Sequence, residues 1–408
     1  MGLLARGLRP ALLPAHKGAR RLRLGALAGT LALVAGLAAG CNSTASTTTT
    51  TTTSTLPPLP PSVIAYVTLA GLGANLGFGN HVAAVNVTPG SEGIESQHLV
   101  GTYPDAIAIF KGTAYVANYT SNTVTPIVIS TGTVLPAIPA GVGPAAIAIS
   151  SQLDRAYVTD DGSATALGHT VTPIDLATRK PLAPIDVGPG PQGIAITPDG
   201  LRAYVADAGA IVTGQSGPVG NQVTPISLRT GTALRPITVG NGPTGIAVTP
   251  DGGTVYVTNL DSLSVTPIDA ASDRPEAAIA VPGGPLAVVV AQGYAWVVDA
   301  PSSSEPGNNL VPISLATGRA TTPIDLDKGA QSLAVTPNGA TAWVACLDAG
   351  VIEPVDLATR RVGAPIKVPG GPFSLAITER TAGEGGSHPS TGTVPARGEG
   401  SKTTTSTG

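Results

Sequence analysis

Five acidic or amide residues recur at one position of a repeated segment, where a short apolar strand ends: Asn118, Asp160, Asp207, Asn259 and Asp299. Carboxylate and amide oxygens are the ligands that hard cations such as Ca²⁺ take in proteins. The pattern therefore predicts an arc of oxygen ligands and a candidate divalent-cation site. The alternative is structural, because Asp and Asn side chains also bond nearby backbone where strands end.

The rest of the sequence offers little catalytic chemistry. No G-x-S-x-G motif for a serine nucleophile is present. Cys346 ends a strand at the position that the five residues occupy elsewhere, and no basic residue lies near it in the sequence. We expect it to be a buried, unreactive thiol. The sequence thus favours a binding role over an enzymatic one.

The elements that carry these residues form a repeat between about residues 64 and 378. An aromatic residue marks the second strand of each copy, at intervals of 40 to 52 residues: Tyr66, Tyr115, Tyr157, Tyr204, Tyr256, Trp296 and Trp343. Each copy contains four β-rich segments, joined by turns such as Pro198-Asp199-Gly200. A repeat of this length with four strands is typical of a propeller blade.

The ends of the repeat predict how the ring closes. The first copy lacks the first strand, strand a, and residues 372–378 supply only a strand a. We predict an all-β, seven-bladed propeller of four-stranded antiparallel blades. Leu375-Ala376-Ile377 should pair with Ala65-Tyr66-Val67, because closure removes exposed strand edges.

Prolines recur within the third strand, strand c: Pro126, Pro173, Pro225, Pro267 and Pro312. Proline cannot donate to a strand ladder. Each blade should therefore contain a bulge or lose pairing at this point, unless strand c begins one residue later.

The tetrad Tyr256-Val257-Thr258-Asn259, with near matches at 66–68 and 157–160, resembles the YVTN family of β-propeller repeats. The resemblance covers about three quarters of the chain. It implies a secreted or surface protein. Some relatives are lactonase-like enzymes with a central metal or acid cluster, which makes a metal-dependent hydrolase or isomerase the alternative function.

The N-terminus predicts export. Residues 1–40 contain six basic side chains and no acid, and residues 26–39 are apolar. About 14 apolar residues are fewer than the roughly 20 of a membrane-spanning helix and are typical of a signal peptide. The ending Ala38-Ala39-Gly40-Cys41 resembles a bacterial lipoprotein signal, which implies lipidation of Cys41 and attachment to the outer face of the membrane. Without lipidation the protein would be secreted.

Composition divides the remaining chain. A Thr/Pro-rich tether (41–62) precedes the propeller (63–378), and a low-complexity tail (379–408) should be disordered. After residue 40 the chain has 16 basic and 25 acidic residues. This net charge of −9 disfavours nucleic-acid binding.

Partner binding is expected on the face that carries the connections between strands b and c. These b–c loops vary in length, from the long 208–221 to the short 260–263, and variable loops on a rigid scaffold usually bind ligands. The sequence therefore predicts a monomeric cell-envelope binding module whose partner is a protein or an envelope polymer. A structural spacer is the remaining alternative.

Overall fold

The chain forms a ring of seven antiparallel blades, confirming the predicted propeller. The computed structural model describes residues 62–71, 79–163, 165–210, 217–300 and 308–380. The signal peptide, Cys41, most of the tether and most of the tail lie outside these residues. Within the described ranges no helix is long and apolar enough to cross a membrane.

Each blade has four strand positions, a to d, from the axis outwards. In blades 1 to 7, strand a spans Pro372–Arg380, Pro104–Phe110, Pro144–Ser150, Pro191–Ile196, Pro243–Val248, Gly284–Ala291 and Ala330–Val335. Strand b spans Ser62–Leu69, Thr113–Asn118, Arg155–Ser163, Arg202–Gly209, Thr254–Asn259, Tyr294–Ala300 and Thr341–Cys346. Strand c spans His81–Asn86, Thr123–Val128, Ala166–Asp175, Val219–Ser227, Ser264–Asp269, Asn309–Ser314 and Val351–Asp356.

Strand d is continuous only in blade 1, over Gly93–Leu99. In blades 2 to 7 it consists of two short pieces: Thr133–Val134 and Ile138–Pro139, Lys180–Pro181 and Ile185–Asp186, Thr232–Ala233 and Ile237–Thr238, Arg274–Pro275 and Ile279–Ala280, Arg319–Ala320 and Ile324–Asp325, and Arg361–Val362 and Ile366–Lys367.

The prolines of strand c account for this division. In blade 4, Ile226 pairs with Ala233 and Val223 with Ile237, but no strand d residue pairs with Pro225. The carbonyl of Pro225 still accepts a hydrogen bond from the amide of Leu234 at 2.7 Å. The side of the proline that has no amide hydrogen to donate therefore faces strand d. Strand d leaves the ladder at that point. The predicted loss of pairing is confirmed, and strand c includes the proline.

The ring closes as predicted. Ala65, Tyr66 and Val67 pair with Ile377, Ala376 and Leu375, which completes blade 1 from both ends of the propeller. The closing strand continues to Arg380, two residues beyond the predicted boundary. It is held there because the Arg380 guanidinium binds both carboxylate oxygens of Glu95 on strand d, at 2.7 and 3.0 Å.

The core lies between the blades. Its buried apolar side chains form seven clusters, each shared by two neighbouring blades. The repeated aromatic residue of each strand b belongs to the cluster on one side of its blade. Trp296 is fully buried in this way, and Tyr115 is 6% exposed. These residues recur because each fills one interface between blades.

Candidate functional site at the end of the propeller axis

The predicted Asp/Asn positions form a repeated link within each blade. In blade 3, Oδ2 of Asp160 accepts hydrogen bonds from the hydroxyls of Thr170 and Thr172, both at 2.8 Å. Gly141, in the connection from strand d to strand a, lies so close that a Cβ there would overlap the Asp160 carboxylate. The side chain thus joins strand b to strand c and to the d–a connection of its own blade.

The same link recurs in the next two blades. Oδ2 of Asp207 accepts from the Thr224 hydroxyl at 2.6 Å. Nδ2 of Asn259 contacts the hydroxyls of Ser264 and Thr266 at 3.2 and 2.9 Å. Asn118 makes equivalent bonds to Thr123 and Thr125. These contacts favour the structural interpretation of the repeated Asp and Asn residues.

Burial raises the pKa values of the aspartates in this link. It raises the pKa of Asp160 to about 6 and that of Asp207 to about 7, although hydroxyl hydrogen bonds oppose the change. The pKa of Asp299 also rises to about 6 through burial. In blade 6 the threonine of strand c is replaced by Val311, and both carboxylate oxygens of Asp299 are buried without a hydrogen-bond partner in the described structure.

The five residues lie in five separate blades. Each one packs against a glycine in the d–a connection that leads into its blade: Gly101, Gly141, Gly188, Gly240 or Gly283. The described part of the chain has no group of three or more His, Cys, Asp or Glu side chains that could hold a metal ion.

Blade 7 replaces the link with a different set of residues. Cys346 takes the Asp/Asn position, is fully buried, and has a pKa raised by burial to about 12. Strand c supplies Glu353 instead, whose Oε2 accepts from the backbone amide of Asp327 at 2.9 Å. In blade 7 the carboxylate that binds the d–a connection therefore comes from strand c instead of strand b. A small residue, Cys346, occupies the position on strand b.

A backbone anomaly lies where strand a of blade 2 begins. The corresponding residue is a glycine with positive φ in five other blades: Gly143, Gly190, Gly242, Gly329 and Gly371. In blade 2 it is Tyr103, with φ of 56°. A bulky residue rarely adopts this conformation, which costs about 1–3 kcal/mol.

The surroundings hold Tyr103 in place. Its amide donates to the carbonyl of Gly79 at 2.7 Å, and its carbonyl accepts from the amide of Tyr119 at 2.8 Å. The glycine carbonyls of other blades accept the same bond, as from Ala208 to Gly190 at 2.9 Å. Tyr103 therefore keeps the backbone of the repeat and adds a side chain that the other blades lack.

Among the described residues, three aromatic side chains meet here. The rings of Tyr103 and Tyr119 contact edge to face, with centroids 5.6 Å apart. The Phe373 ring, from strand a of blade 1, lies 6.0 Å from that of Tyr103. All three side chains are partly exposed. Because Phe373 is the second residue of an innermost strand, the rings lie beside the axis.

Two acids adjoin these rings. Asp105 is the second residue of strand a in blade 2, and Asp161 follows Asp160 at the root of the blade 3 hairpin. The Tyr119 hydroxyl donates to Oδ2 of Asp161 at 3.2 Å. Burial and then the charge of Asp161 raise the pKa of Asp105 well above its usual value. We call the set of Tyr103, Asp105, Tyr119, Asp161 and Phe373 the axial site.

The axial site was not predicted from the sequence, although the repeat contains a signal for it. Seven of the ten Tyr and Trp residues occupy the inter-blade position, and two of the other three, Tyr103 and Tyr119, meet at the axial site. Tyr119 and Asp161 stand one residue after the Asp/Asn position. Other blades have alanine or leucine there, such as Ala208 and Leu260.

The face around the axial site is acidic. The acids in this half of the described blades are Asp105, Asp160, Asp161, Asp186, Asp207, Asp261, Asp299, Asp325, Asp327, Asp348 and Glu353. The lysine and arginine residues there are Lys328 and Lys367, and the histidines are His81, His98 and His169. On the opposite face, ion pairs such as Lys111–Asp154 and Arg202–Asp273 offset the acids. The propeller is therefore electrostatically two-sided.

Two shallow clefts open on the opposite face. One of about 400 Å³ lies between blades 5 and 6, and one of about 350 Å³ between blades 4 and 5. Both are lined by the turns between strands a and b, including Asp251. Because they recur between successive blades, they reflect the repeat rather than one specialised position.

Comparison with known proteins supports the fold alone. No protein-family model matches the chain, and no curated protein matches it. Among solved structures, a candidate 6-phosphogluconolactonase from Bacteroides fragilis is similar at 17% identity and a TM-score of 0.61, covering 78% of this chain and 98% of its own. A second candidate 6-phosphogluconolactonase, from Bacteroides uniformis, has 13% identity and a TM-score of 0.60, with 78% and 99% covered.

Hydrazine synthase from Kuenenia stuttgartiensis is similar at 17% identity and a TM-score of 0.60, covering 69% of this chain and 90% of its own. Neighbours with such different names share the propeller, and a fold of this kind hosts unrelated activities. The fold therefore does not indicate one function, and the residues of the axial site are the guide to it.

Proposed function

We propose that this protein is an exported, lipid-anchored propeller of the cell envelope that binds a ligand at the axial site. The observation that carries the proposal is Tyr103, which places an aromatic side chain where the repeat otherwise uses glycine. Backbone strain of this kind often clusters at functional sites, where the surrounding structure holds it in place. The site also lies on the face with the variable b–c loops.

A screen of a charge-balanced library of small molecules by thermal unfolding tests binding at this site. A ligand at 100 times its dissociation constant adds about 2.7 kcal/mol to the free energy of unfolding. We expect a ligand that stabilises the wild-type chain and fails to stabilise Tyr103→Gly. Ligands that stabilise both chains equally, or none at all, would contradict binding at the axial site and favour the spacer alternative.

Membrane attachment is a separate part of the proposal, supported by the sequence before the tether. A lipidated Cys41 anchors a protein because several acyl chains give stable membrane binding. In phase separation with a nonionic detergent, the protein made in a bacterium should enter the detergent phase, whereas Cys41→Ser should stay in the aqueous phase. Equal partitioning of the two would argue for secretion.

A lactonase-like hydrolase is the second candidate, favoured by the two similar candidate lactonases and by the acid pair. A carboxyl pair that shares a proton can supply a general base or acid. The axial site suits a phosphorylated substrate poorly, because the carboxyl groups of Asp105 and Asp161 adjoin its rings.

Hydrolysis of uncharged lactones, measured with EDTA and with added Ca²⁺, tests the hydrolase. Turnover that Asp105→Asn abolishes would replace the binding proposal with this one. Turnover that depends on Ca²⁺ and is lost in Asp160→Asn would instead support the Asp/Asn arc predicted from the sequence.

A further inference from the structure

We infer that the axial site binds an organic cation: an ammonium or guanidinium group with an apolar flank, held between the aromatic rings and the carboxylates. The inference rests on the proposed function and names its class of ligand. It follows from three properties of the site, which are its rings, its acids and the charge of the surrounding face.

The rings provide the first argument. The faces of aromatic rings attract cations electrostatically, and tyrosine and phenylalanine both serve in cages around ammonium groups. Tyr103 lies edge to face with Tyr119 and is tilted by 53° from Phe373. The three planes are therefore not stacked on one another, and all three side chains are partly exposed.

The acids provide the second argument. Asp161 and Asp105 stand close enough for the charge of one to oppose ionisation of the other. Such a pair places negative charge beside the rings. A single organic cation neutralises that charge, whereas an anion is repelled and a neutral ligand leaves it uncompensated.

The third argument is the long-range field. A concentration of one sign of charge on one face attracts ligands of the opposite sign and raises their rate of association. Acidic residues outnumber lysine and arginine in the described part of the axial face, while the opposite face contains most of the basic side chains. The field and the local site therefore select the same kind of ligand.

The cationic group could belong to a free amine or to a lysine or arginine side chain of a polypeptide. The chemistry at the axial site is the same for both. Calorimetric titration of the full chain with n-butylammonium, arginine amide and octalysine separates them, because only a polypeptide gains affinity from contacts with the wider acidic face.

Matched probes test the charge. 1-Butanol and pentanoate have the same butyl chain as n-butylammonium without its positive charge. We expect both to bind at least about tenfold more weakly, a difference equivalent to one charge-assisted hydrogen bond. Raising NaCl from about 50 to 500 mM should weaken only the cations, because salt screens charge interactions. Equal affinity of n-butylammonium and 1-butanol would overturn the inference.

Matched variants test the location. Asp161→Asn keeps an acceptor for the Tyr119 hydroxyl but removes the charge, and it should lower the affinity for n-butylammonium about tenfold. Asp261→Asn removes an exposed acid at the b–c connection of blade 5 on the same face and should lower it less than twofold. Equal losses in the two variants would show a diffuse field instead of a site.

The outcomes separate the inference from the proposed function. A neutral or anionic library ligand that requires Tyr103, with no binding of cations, would keep the binding function and overturn the cation class. If the wild-type chain and Tyr103→Gly bind every probe equally, both the proposed binding function and the cation class are overturned.

Discussion

Tyr103 shows how a single residue departs from a repeat. Its backbone keeps the hydrogen bonds and the left-handed φ of the glycines at equivalent positions. A residue with a side chain is tolerated there because the bulk extends toward Tyr119 and Phe373. At Gly190, by contrast, an added Cβ would overlap the backbone of Gly209. The tyrosine therefore depends on its local surroundings as well as on its φ.

Two substitutions at this repeat position should behave in opposite ways. Tyr103→Gly removes the strain of the positive φ, which stabilises the fold. It also removes the ring contacts and increases the entropy of the unfolded chain, which destabilise the fold. Because these effects oppose each other, the free energy of unfolding should change by less than about 1 kcal/mol. Gly190→Ala should cost at least about 2 kcal/mol through strain and overlap. Urea denaturation of both variants measures this. A loss above about 3 kcal/mol in Tyr103→Gly would mean that the tyrosine serves stability.

Asp207 should make stability depend on pH. Its pKa is raised by burial to about 7 in the fold, against about 3.9 when unfolded. Between these values the folded chain holds the proton more strongly than the unfolded chain. Its contribution to stability is therefore lost as pH rises from about 4 to 7, and the loss is complete above that range.

The variant Asp207→Asn should remove this pH dependence, since asparagine occupies the same position at Asn118 and Asn259. We expect it to stabilise the protein by about 1–3 kcal/mol at pH 8 and by less at pH 5, measured by urea denaturation. Asp251→Asn is the control with the opposite sign, because hydrogen bonds lower the pKa of Asp251. Destabilisation of Asp207→Asn at pH 8 would contradict the account.

At the scale of elements, the closing strand of blade 1 holds the ring together. It pairs with Ser62–Leu69, and its Leu375 packs into the cluster between blades 7 and 1. The salt bridge from Arg380 to Glu95 joins this strand to the opposite edge of the same blade. The N- and C-terminal parts of the propeller therefore depend on each other for one complete sheet.

A chain that ends at Pro369 should lose at least about 5 kcal/mol, because several ladder hydrogen bonds and a buried cluster disappear together. Strand b of blade 1 would also become an exposed edge that promotes aggregation. A chain that ends at Arg380 is the control and should unfold like the full chain. Thermal unfolding followed by circular dichroism compares them, and equal midpoints would contradict ring closure as a source of stability.

Much of the architecture could be predicted because the same sequence pattern recurs from blade to blade. Apolar alternation, turn residues and the aromatic of strand b recur in every blade, and the incomplete ends required closure. The axial site could not be predicted in the same way. It depends on residues that differ between blades, and on the ring that brings Phe373 beside Tyr103 across 270 positions of sequence. The Asp/Asn positions predicted a shared site because their repetition resembles a ligand set, whereas four of the five bond to hydroxyls on strand c of their own blade.

At the scale of the whole molecule, the propeller presents two unlike faces. One has the variable connections, the acids and the axial site. The other has the short turns and the ion pairs. The face with the axial site is the one on which we propose that a cationic group binds.

The most direct measurement is the response of the tyrosines to an organic cation. The chain has eight tyrosines, and labelling them with 3-fluorotyrosine gives each a separate ¹⁹F resonance. Titration with n-butylammonium should shift Tyr103 and Tyr119 saturably. The inter-blade tyrosines at 66, 115, 157, 204 and 256 should stay in place and act as internal controls. Shifts confined to other tyrosines, or no saturable shift at Tyr103 and Tyr119, would contradict cation binding at the axial site.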